Sequence, residues 1–71
     1  MKTIYQAIDF INNNFGRRVL IKVLGLRNKT DMVEGIISEC YKHVFVVSTK
    51  LGKKSFTYTD VLIGNIRVSV K

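Results

Sequence analysis

The sequence predicts a mainly β fold, in which one N-terminal α-helix is followed by five short antiparallel strands. Two observations favour this class. An apolar period of about 3.6 residues near the N-terminus changes to a period of two after Gly16, and glycine-containing turns separate the later apolar runs. A chain of 71 residues has room for one core. We therefore expect a single domain over residues 1–71, with a helix at 3–15 and a β-sheet at 17–71.

The helix prediction depends on a capping signal and on one apolar stripe. Thr3 and Gln6 have the spacing of a capping box, in which each side chain satisfies a free backbone N–H group at a helix start. Gly16 can adopt the left-handed conformation that ends helices. The apolar residues between these signals recur every three or four positions and are Ile4, Ala7, Ile8, Ile11 and Phe15.

The first two strands are separated by a polar turn. Apolar and polar residues alternate after the two arginines, so that Val19, Ile21 and Val23 share one face. The turn begins at Gly25, and "DMVEGIISECY" follows it as a longer second strand. A glycine within a strand is typical of a bulge or a bend, which we expect at Gly35.

Three further strands complete the predicted sheet. "VFVVST" is apolar on both faces, so it is expected to be the central strand and to be covered on both sides. "SFTYT" is predicted to be the fourth strand, "DVLIG" a short turn and "NIRVSVK" the fifth strand. A flat sheet of this size would leave its inner face and its edges open. We therefore expect a small SH3-like (Sm-like) barrel whose open end the helix covers.

Basic residues cluster on the first strand and on the turn that follows it. The net charge of +7 favours attraction to polyanions. The candidate binding residues are Arg17, Arg18, Lys22, Arg27 and Lys29. The strand that joins them spans roughly 23 Å at about 3.3 Å per residue, which suits contacts to phosphates without base recognition. Cations also protect strand edges from aggregation as solvated charges, and the sequence pattern leaves both interpretations open.

Two sets of large apolar side chains bear on binding. Four aromatic residues have strand and turn positions that a core would use, so we expect them inside rather than as a platform for stacking bases. They are Tyr41, Phe45, Phe56 and Tyr58. Four leucines exceed what a small barrel interior holds, so we expect them either under the helix or on a surface for a partner or a second copy of the chain. They are Leu20, Leu24, Leu26 and Leu51.

The sequence gives no support for a catalytic, metal or cofactor site. Cys40 and His43 are three residues apart, but a tetrahedral zinc site takes four ligands and the chain has one cysteine and one histidine. A Cys–His nucleophile also requires a third group to orient the base, and no pair of acids is placed for acid–base catalysis. "GLRNKT" lacks the spacing of a phosphate-binding loop. We therefore expect a protein that is not an enzyme and holds no cofactor.

The cellular location is predicted from one cysteine and from the hydropathy of the chain. A lone thiol fits a reducing cytoplasm better than a secreted scaffold. The N-terminus has no small-residue cleavage site, and no apolar run approaches the roughly 20 residues that cross a bilayer. A cytoplasmic protein without a membrane partner is expected.

Three stretches in order, "GRRVLIKVLGLRNKT", "GIISECYKHVFVV" and "SFTYTDVL", resemble the Veg family of small proteins from Gram-positive bacteria. Together they cover roughly residues 16–63. The sequence departs from the family pattern at Leu26 and Asn28, where a glycine and a basic residue are expected, and at Lys42, where proline is expected. The departures at Leu26 and Asn28 dilute the positive charge of the first turn.

The resemblance implies a non-catalytic cytoplasmic regulator that stimulates biofilm formation by relieving a transcriptional repressor through protein contact. On that basis we expect a transcription regulator protein as the partner of the five candidate cations. Sequence-independent nucleic-acid binding through the same basic strand and turn is the alternative, and a homo-oligomer is a further expectation from Sm-like domains.

Overall fold

The computed structural model describes residues 3–24 and 30–71. In chain order these residues form helix α1 (Ile4–Asn13), strands β1 (Arg18–Leu24), β2 (Thr30–Cys40), β3 (Val44–Thr49) and β4 (Gly52–Thr57), helix α2 (Tyr58–Ile63) and strand β5 (Ile66–Val70). The five strands form one antiparallel sheet in the order β4-β3-β2-β1-β5. The predicted mainly β class with an N-terminal helix is therefore confirmed. Within the described ranges β4 and β5 each pair along one edge, so this pairing does not close the sheet into a ring.

Helix α1 begins as predicted and ends earlier than predicted. The Thr3 hydroxyl accepts a hydrogen bond from the Gln6 N–H at 3.2 Å, which caps the first turn. At the other end the Asn14 side-chain amide donates to the Phe10 carbonyl at 2.7 Å, and Gly16 has a φ of +81°. The helix stops at Asn13, so the predicted end at residue 15 was wrong, and Phe15 lies exposed beyond the stripe.

Helix α2 replaces the turn predicted at "DVLIG". The Thr57 hydroxyl accepts from the Asp60 N–H at 3.1 Å, and Gly64 ends the helix in the left-handed conformation with a φ of +88°. Strand β4 begins at Gly52 and ends at Thr57, so Tyr58 belongs to the helix and not to the predicted fourth strand. Neither described helix has the length and apolar character that a membrane crossing requires.

Strand β2 changes its partner part-way along. Residues Thr30–Ile36 pair with β1, and residues Ile36–Cys40 pair with β3. The register with β3 shifts between Ile37 and Glu39, which leaves Ser38 as an extra residue in a β-bulge. The bulge therefore lies three residues beyond the predicted position at Gly35.

Gly35 instead marks a close contact between neighbouring strands. A Cβ atom at this position would collide with the Ser48 carbonyl oxygen and would lie 2.7 Å from Val47 Cγ1. Glycine is the residue that allows β3 to approach β2 here.

The core lies between the inner face of the sheet and the two helices. Strand β3 is covered on both faces, as predicted, because Phe45, Val46 and Val47 are all buried. The prediction that β3 is the central strand was wrong: β2 occupies the centre of the sheet because β5 adds to β1 at the far side. The main cluster contains Ala7, Ile11, Val19, Ile21, Ile37, Phe45, Val47, Tyr58, Val61 and Ile66.

Candidate binding surface

Two of the candidate cations lie on the outer face of β1, and a third lies immediately before this strand. Val19 and Ile21 are fully buried, so the alternating residues Arg18 and Lys22 point away from the core and are exposed. Arg17 is exposed immediately before the strand. The remaining candidate residues, Arg27 and Lys29, lie outside the described residues, as does Leu26.

Strand β5 places two further cations beside them. Lys22 is the register partner of Arg67, and the Lys71 N–H donates to the Arg18 carbonyl at 3.0 Å. These four residues, Arg18, Lys22, Arg67 and Lys71, are called the cationic quartet. They form an Arg18/Lys71 row and a Lys22/Arg67 row, about 13 Å apart along the strands. Side chains that are directly opposite in such a row have Cβ atoms about 5 Å apart.

One row of the quartet is partly neutralised. The Lys71 ammonium forms an ion pair with Glu34 on β2, with a separation of 2.7 Å between Nζ and Oε2. The hydrogen bond and charge of Lys71, followed by the charges of Arg18 and Lys50, lower the pKa of the Glu34 carboxyl. The carboxylate therefore balances charge at the Arg18/Lys71 row.

The Lys22/Arg67 row has no such compensation. Neither side chain forms an ion pair in the described structure, although all five acidic residues of the chain lie inside the described ranges. Met32 is opposite Lys22 on β2, and Leu20 and Leu24 are its outward neighbours on β1. Two like charges thus lie side by side among apolar side chains.

Glu39, a second glutamate on β2, is also paired. Lys53 Nζ is 3.3 Å from Glu39 Oε2, and the Tyr41 hydroxyl donates to Glu39 Oε1. The Tyr41 hydrogen bond first, and then Lys53, lower the pKa of the Glu39 carboxyl. Charge on this part of the sheet is therefore balanced.

The aromatic side chains do not contribute to the quartet face. The Phe45 ring lies 5.8 Å from Phe56 and 5.5 Å from Tyr58 between ring centroids, and Phe45 and Tyr58 are buried. These three residues belong to the interior, as predicted. Tyr41 is exposed and bonded to Glu39, so its assignment to the core was wrong.

Cys40 and His43 do not form a pair that could act on a substrate. Cys40 is half-buried, and burial raises the pKa of its thiol. Its neighbour is the buried Tyr58 hydroxyl, for which no hydrogen-bond partner is present in the described structure. Burial, followed by the charge of Cys40, raises the pKa of Tyr58 to about 12. His43 is exposed and contributes its main-chain carbonyl to the Tyr58 N–H at 3.2 Å.

In residues 3–24 and 30–71 no group of three or more His, Cys, Asp and Glu side chains is placed to hold a metal ion.

The three predicted leucines that the structure describes do not lie under α1. Leu20 is half-buried between the two rows of the quartet, on the face opposite to the one that α1 covers. Leu24 is exposed at the end of β1, and Leu51 is 96% exposed at the turn between β3 and β4. Leu20 and Leu24 therefore leave apolar surface beside the cationic quartet.

Arg67 and Lys71 belong to the basic surface but were not predicted from the sequence. The alternation in "NIRVSVK" places both on the outer face of β5. No local pattern indicates that β5 pairs with β1, because β1 is the first and β5 the last of the described strands in chain order. The missing signal was therefore a long-range pairing.

Comparison with protein families identifies a family that matches nearly the whole chain. The family model of the biofilm formation stimulator VEG matches residues 2–69. A search of the curated proteins returned no match.

Proposed function

Because the chain belongs to the family of the biofilm formation stimulator VEG, we propose that it is a non-catalytic cytoplasmic regulator that binds a transcriptional repressor and relieves repression. The observation that supports this proposal is that cationic and apolar side chains lie together on the surface of β1. Arg18 and Lys22 lie on either side of the half-buried Leu20, with Met32 exposed beside them. Apolar side chains among cations are typical of a protein interface rather than of a purely solvated surface.

The fold that we propose for this role is an SH3-like barrel of the Sm-like kind over one domain. The change of partner along β2 supports curvature of the sheet, and α1 packs on its inner side. An experimental structure in which the sheet is flat and open would contradict this assignment.

The regulatory proposal is tested with a reporter gene under the control of the repressor. The host is a biofilm-forming Gram-positive bacterium that lacks its own Veg protein. Expression of the chain should raise the reporter signal, and purified repressor should bind the purified chain.

The Arg18→Gln/Lys22→Gln variant should lose both effects. A control with the same charge change, Lys42→Gln/Lys54→Gln, should keep them, because both of its lysines are exposed and neither belongs to the quartet. A reporter that does not respond to the native chain would refute the proposal.

Nucleic-acid binding is the second candidate, and the four clustered cations favour it. Contacts with phosphates would make the affinity for duplex DNA fall with salt, with a log–log slope of about −0.9 per phosphate. The absence of an aromatic side chain from the described quartet face weighs against single-stranded ligands. Absence of binding at low salt would eliminate this candidate.

Self-association is proposed through the two free edges of the sheet. In the described strands β4 and β5 each leave one edge unpaired, and unpaired edges can add a strand from another copy. The mass in solution, measured by light scattering over a range of concentrations, should then exceed that of one chain.

A further inference from the structure

We propose that the cationic quartet recognises an acidic segment of a protein in which two carboxylate side chains flank one apolar side chain. The Lys22/Arg67 row receives the first carboxylate, Leu20 contacts the apolar side chain and Arg18 receives the second carboxylate. This inference rests on the proposed function, since it names the chemistry by which the partner is bound.

The unbalanced charge of the Lys22/Arg67 row is the first argument. Like charges directly opposite in an antiparallel sheet are destabilising. Elsewhere on the sheet the chain places Glu34 beside Lys71 and Glu39 beside Lys53. At this row no described acid offsets the repulsion, so a carboxylate from outside would gain interactions with two cations at once.

The surroundings of the row are the second argument. Leu20, Leu24 and Met32 adjoin Lys22, and Met32 is 59% exposed. A protein segment can cover these side chains while its carboxylate bonds the Arg67 guanidinium, whose fork matches a carboxylate with two parallel hydrogen bonds. A nucleic-acid backbone would leave the apolar side chains uncovered. The patch is therefore complementary to a segment that is both acidic and apolar.

The spacing of the rows is the third argument. In an extended chain every second side chain points to the same side, and residues four positions apart are separated by about 13 Å. The two rows have the same separation, with Leu20 half-way between them. Glu34 lies opposite Leu20 on β2, pairs with Lys71 and is also attracted by the Arg18 charge, but Arg18 itself forms no ion pair in the described ranges. The five N–H donors of the Arg18 guanidinium therefore leave room for the second carboxylate. The matching pattern is acid-x-apolar-x-acid.

The repulsion within the row is tested without any partner. Lys22→Gln and Arg67→Gln should each raise Tm by roughly 1–5 °C at low salt, because each removes the repulsion. The double variant should gain less than the sum of the single variants, and the gains should shrink at high salt. Lys54→Gln on β4 measures the general effect of lowering the net charge. Additive effects, or a rise no larger than that of Lys54→Gln, would overturn the premise.

Recognition is tested with two fluorescent peptides of the same composition. One contains Glu-Thr-Leu-Thr-Glu, and the other contains the two acids next to each other. Fluorescence anisotropy should show that the native chain prefers the first peptide. Lys22→Gln/Arg67→Gln should weaken its binding at least tenfold, while Lys42→Gln/Lys54→Gln should change it less than twofold. Circular dichroism establishes that each variant is folded. Equal affinity for the two peptides, or equal losses in the two double variants, would overturn the proposal.

Three further outcomes separate this inference from the proposed function and from nucleic-acid binding. A chain that relieves the repressor equally with and without Lys22→Gln/Arg67→Gln would overturn the site and leave the function standing. A chain that binds the first peptide selectively but has no effect on the reporter would support the site and refute the function. Tighter binding to duplex DNA than to the peptide, lost in the same variant, would assign the quartet to nucleic acid and overturn the proposal.

Discussion

Tyr58 combines nearly complete burial with a hydroxyl that has no hydrogen-bond partner in the described structure. Its ring stacks beside Phe45, so the aromatic part contributes to the core. The hydroxyl has lost its hydration and lies beside the Cys40 thiol, which is only a weak hydrogen-bonding group, so its burial is a net cost to folding.

Replacing Tyr58 by phenylalanine should therefore stabilise the protein. The free energy of unfolding should rise by about 1 kcal/mol, because the unsatisfied hydroxyl is removed and the ring is retained. Urea denaturation of the native chain and of Tyr58→Phe measures the difference. Tyr5→Phe is the matched control, since Tyr5 is 74% exposed and should show no change. A loss of stability in Tyr58→Phe would indicate that the hydroxyl holds a partner in solution.

Gly35 is the second single residue on which the sheet depends. Gly35→Ala should lower the free energy of unfolding by about 1–3 kcal/mol, because the new Cβ would press against the Ser48 carbonyl and Val47. Thermal unfolding followed by circular dichroism measures the effect. Ser38→Ala, in the same strand, should cost much less. If the two variants were equally stable, β2 and β3 would not approach each other as closely as described.

At the scale of elements, the helix ends illustrate what local sequence can predict. The signal at Thr3 and Gln6 located α1 correctly, because one side-chain hydrogen bond fixes a helix start. The same type of signal, Thr57 followed three residues later by Asp60, precedes an apolar run and Gly64. This signal predicts a helix at α2, where a turn was expected. An N-terminal capping pattern together with a glycine at the C-terminal end therefore identifies even a short helix.

The cap of α2 gives a prediction for this element. Thr57→Ala should lower the free energy of unfolding by about 1 kcal/mol, because the Asp60 N–H loses its acceptor. Thr59→Ala, at an exposed position in the first turn of the same helix, is the control. Urea midpoints for both variants provide the comparison, and equal midpoints would show that the hydroxyl contributes nothing.

For the whole molecule, the limit of sequence prediction was long-range pairing. The alternation of Val19, Ile21 and Val23 located β1 and its buried face, since strand periodicity is local. The pairing of β1 with β5 joins chain segments far apart in sequence, and no local pattern specifies it. That is why Arg18 and Lys22 could be proposed as a surface, whereas Arg67 had to be found in the structure.

The whole chain should also lose stability in acid. The pKa values of Glu34 and Glu39 are lowered on folding from an ordinary value of 4.5. Their contribution is therefore present above that value and is lost as pH falls through the lowered pKa values. Protonation also increases the net positive charge and the self-repulsion of the folded state.

Urea midpoints at pH 7 and pH 3 test this prediction. The Glu34→Gln/Glu39→Gln variant should be less stable than the native chain at pH 7 and similar to it at pH 3. Asp9→Asn/Asp31→Asn removes the same charge from residues that form no ion pair in the described part of the chain. That control should keep the pH dependence of the native chain. A constant difference between native and Glu variants at both pH values would contradict the assignment.

The pairing of β5 with β1 has a consequence for how the protein matures. Strands β1 to β4 follow one another as hairpins, so each pair can form soon after its residues leave the ribosome. Strand β5 is the last strand to be synthesised and pairs with the first strand, β1. Only this pairing places Arg67 beside Lys22. A nascent or partly folded chain therefore cannot display the complete quartet, and a partner that reads all four charges would distinguish finished molecules from unfinished ones.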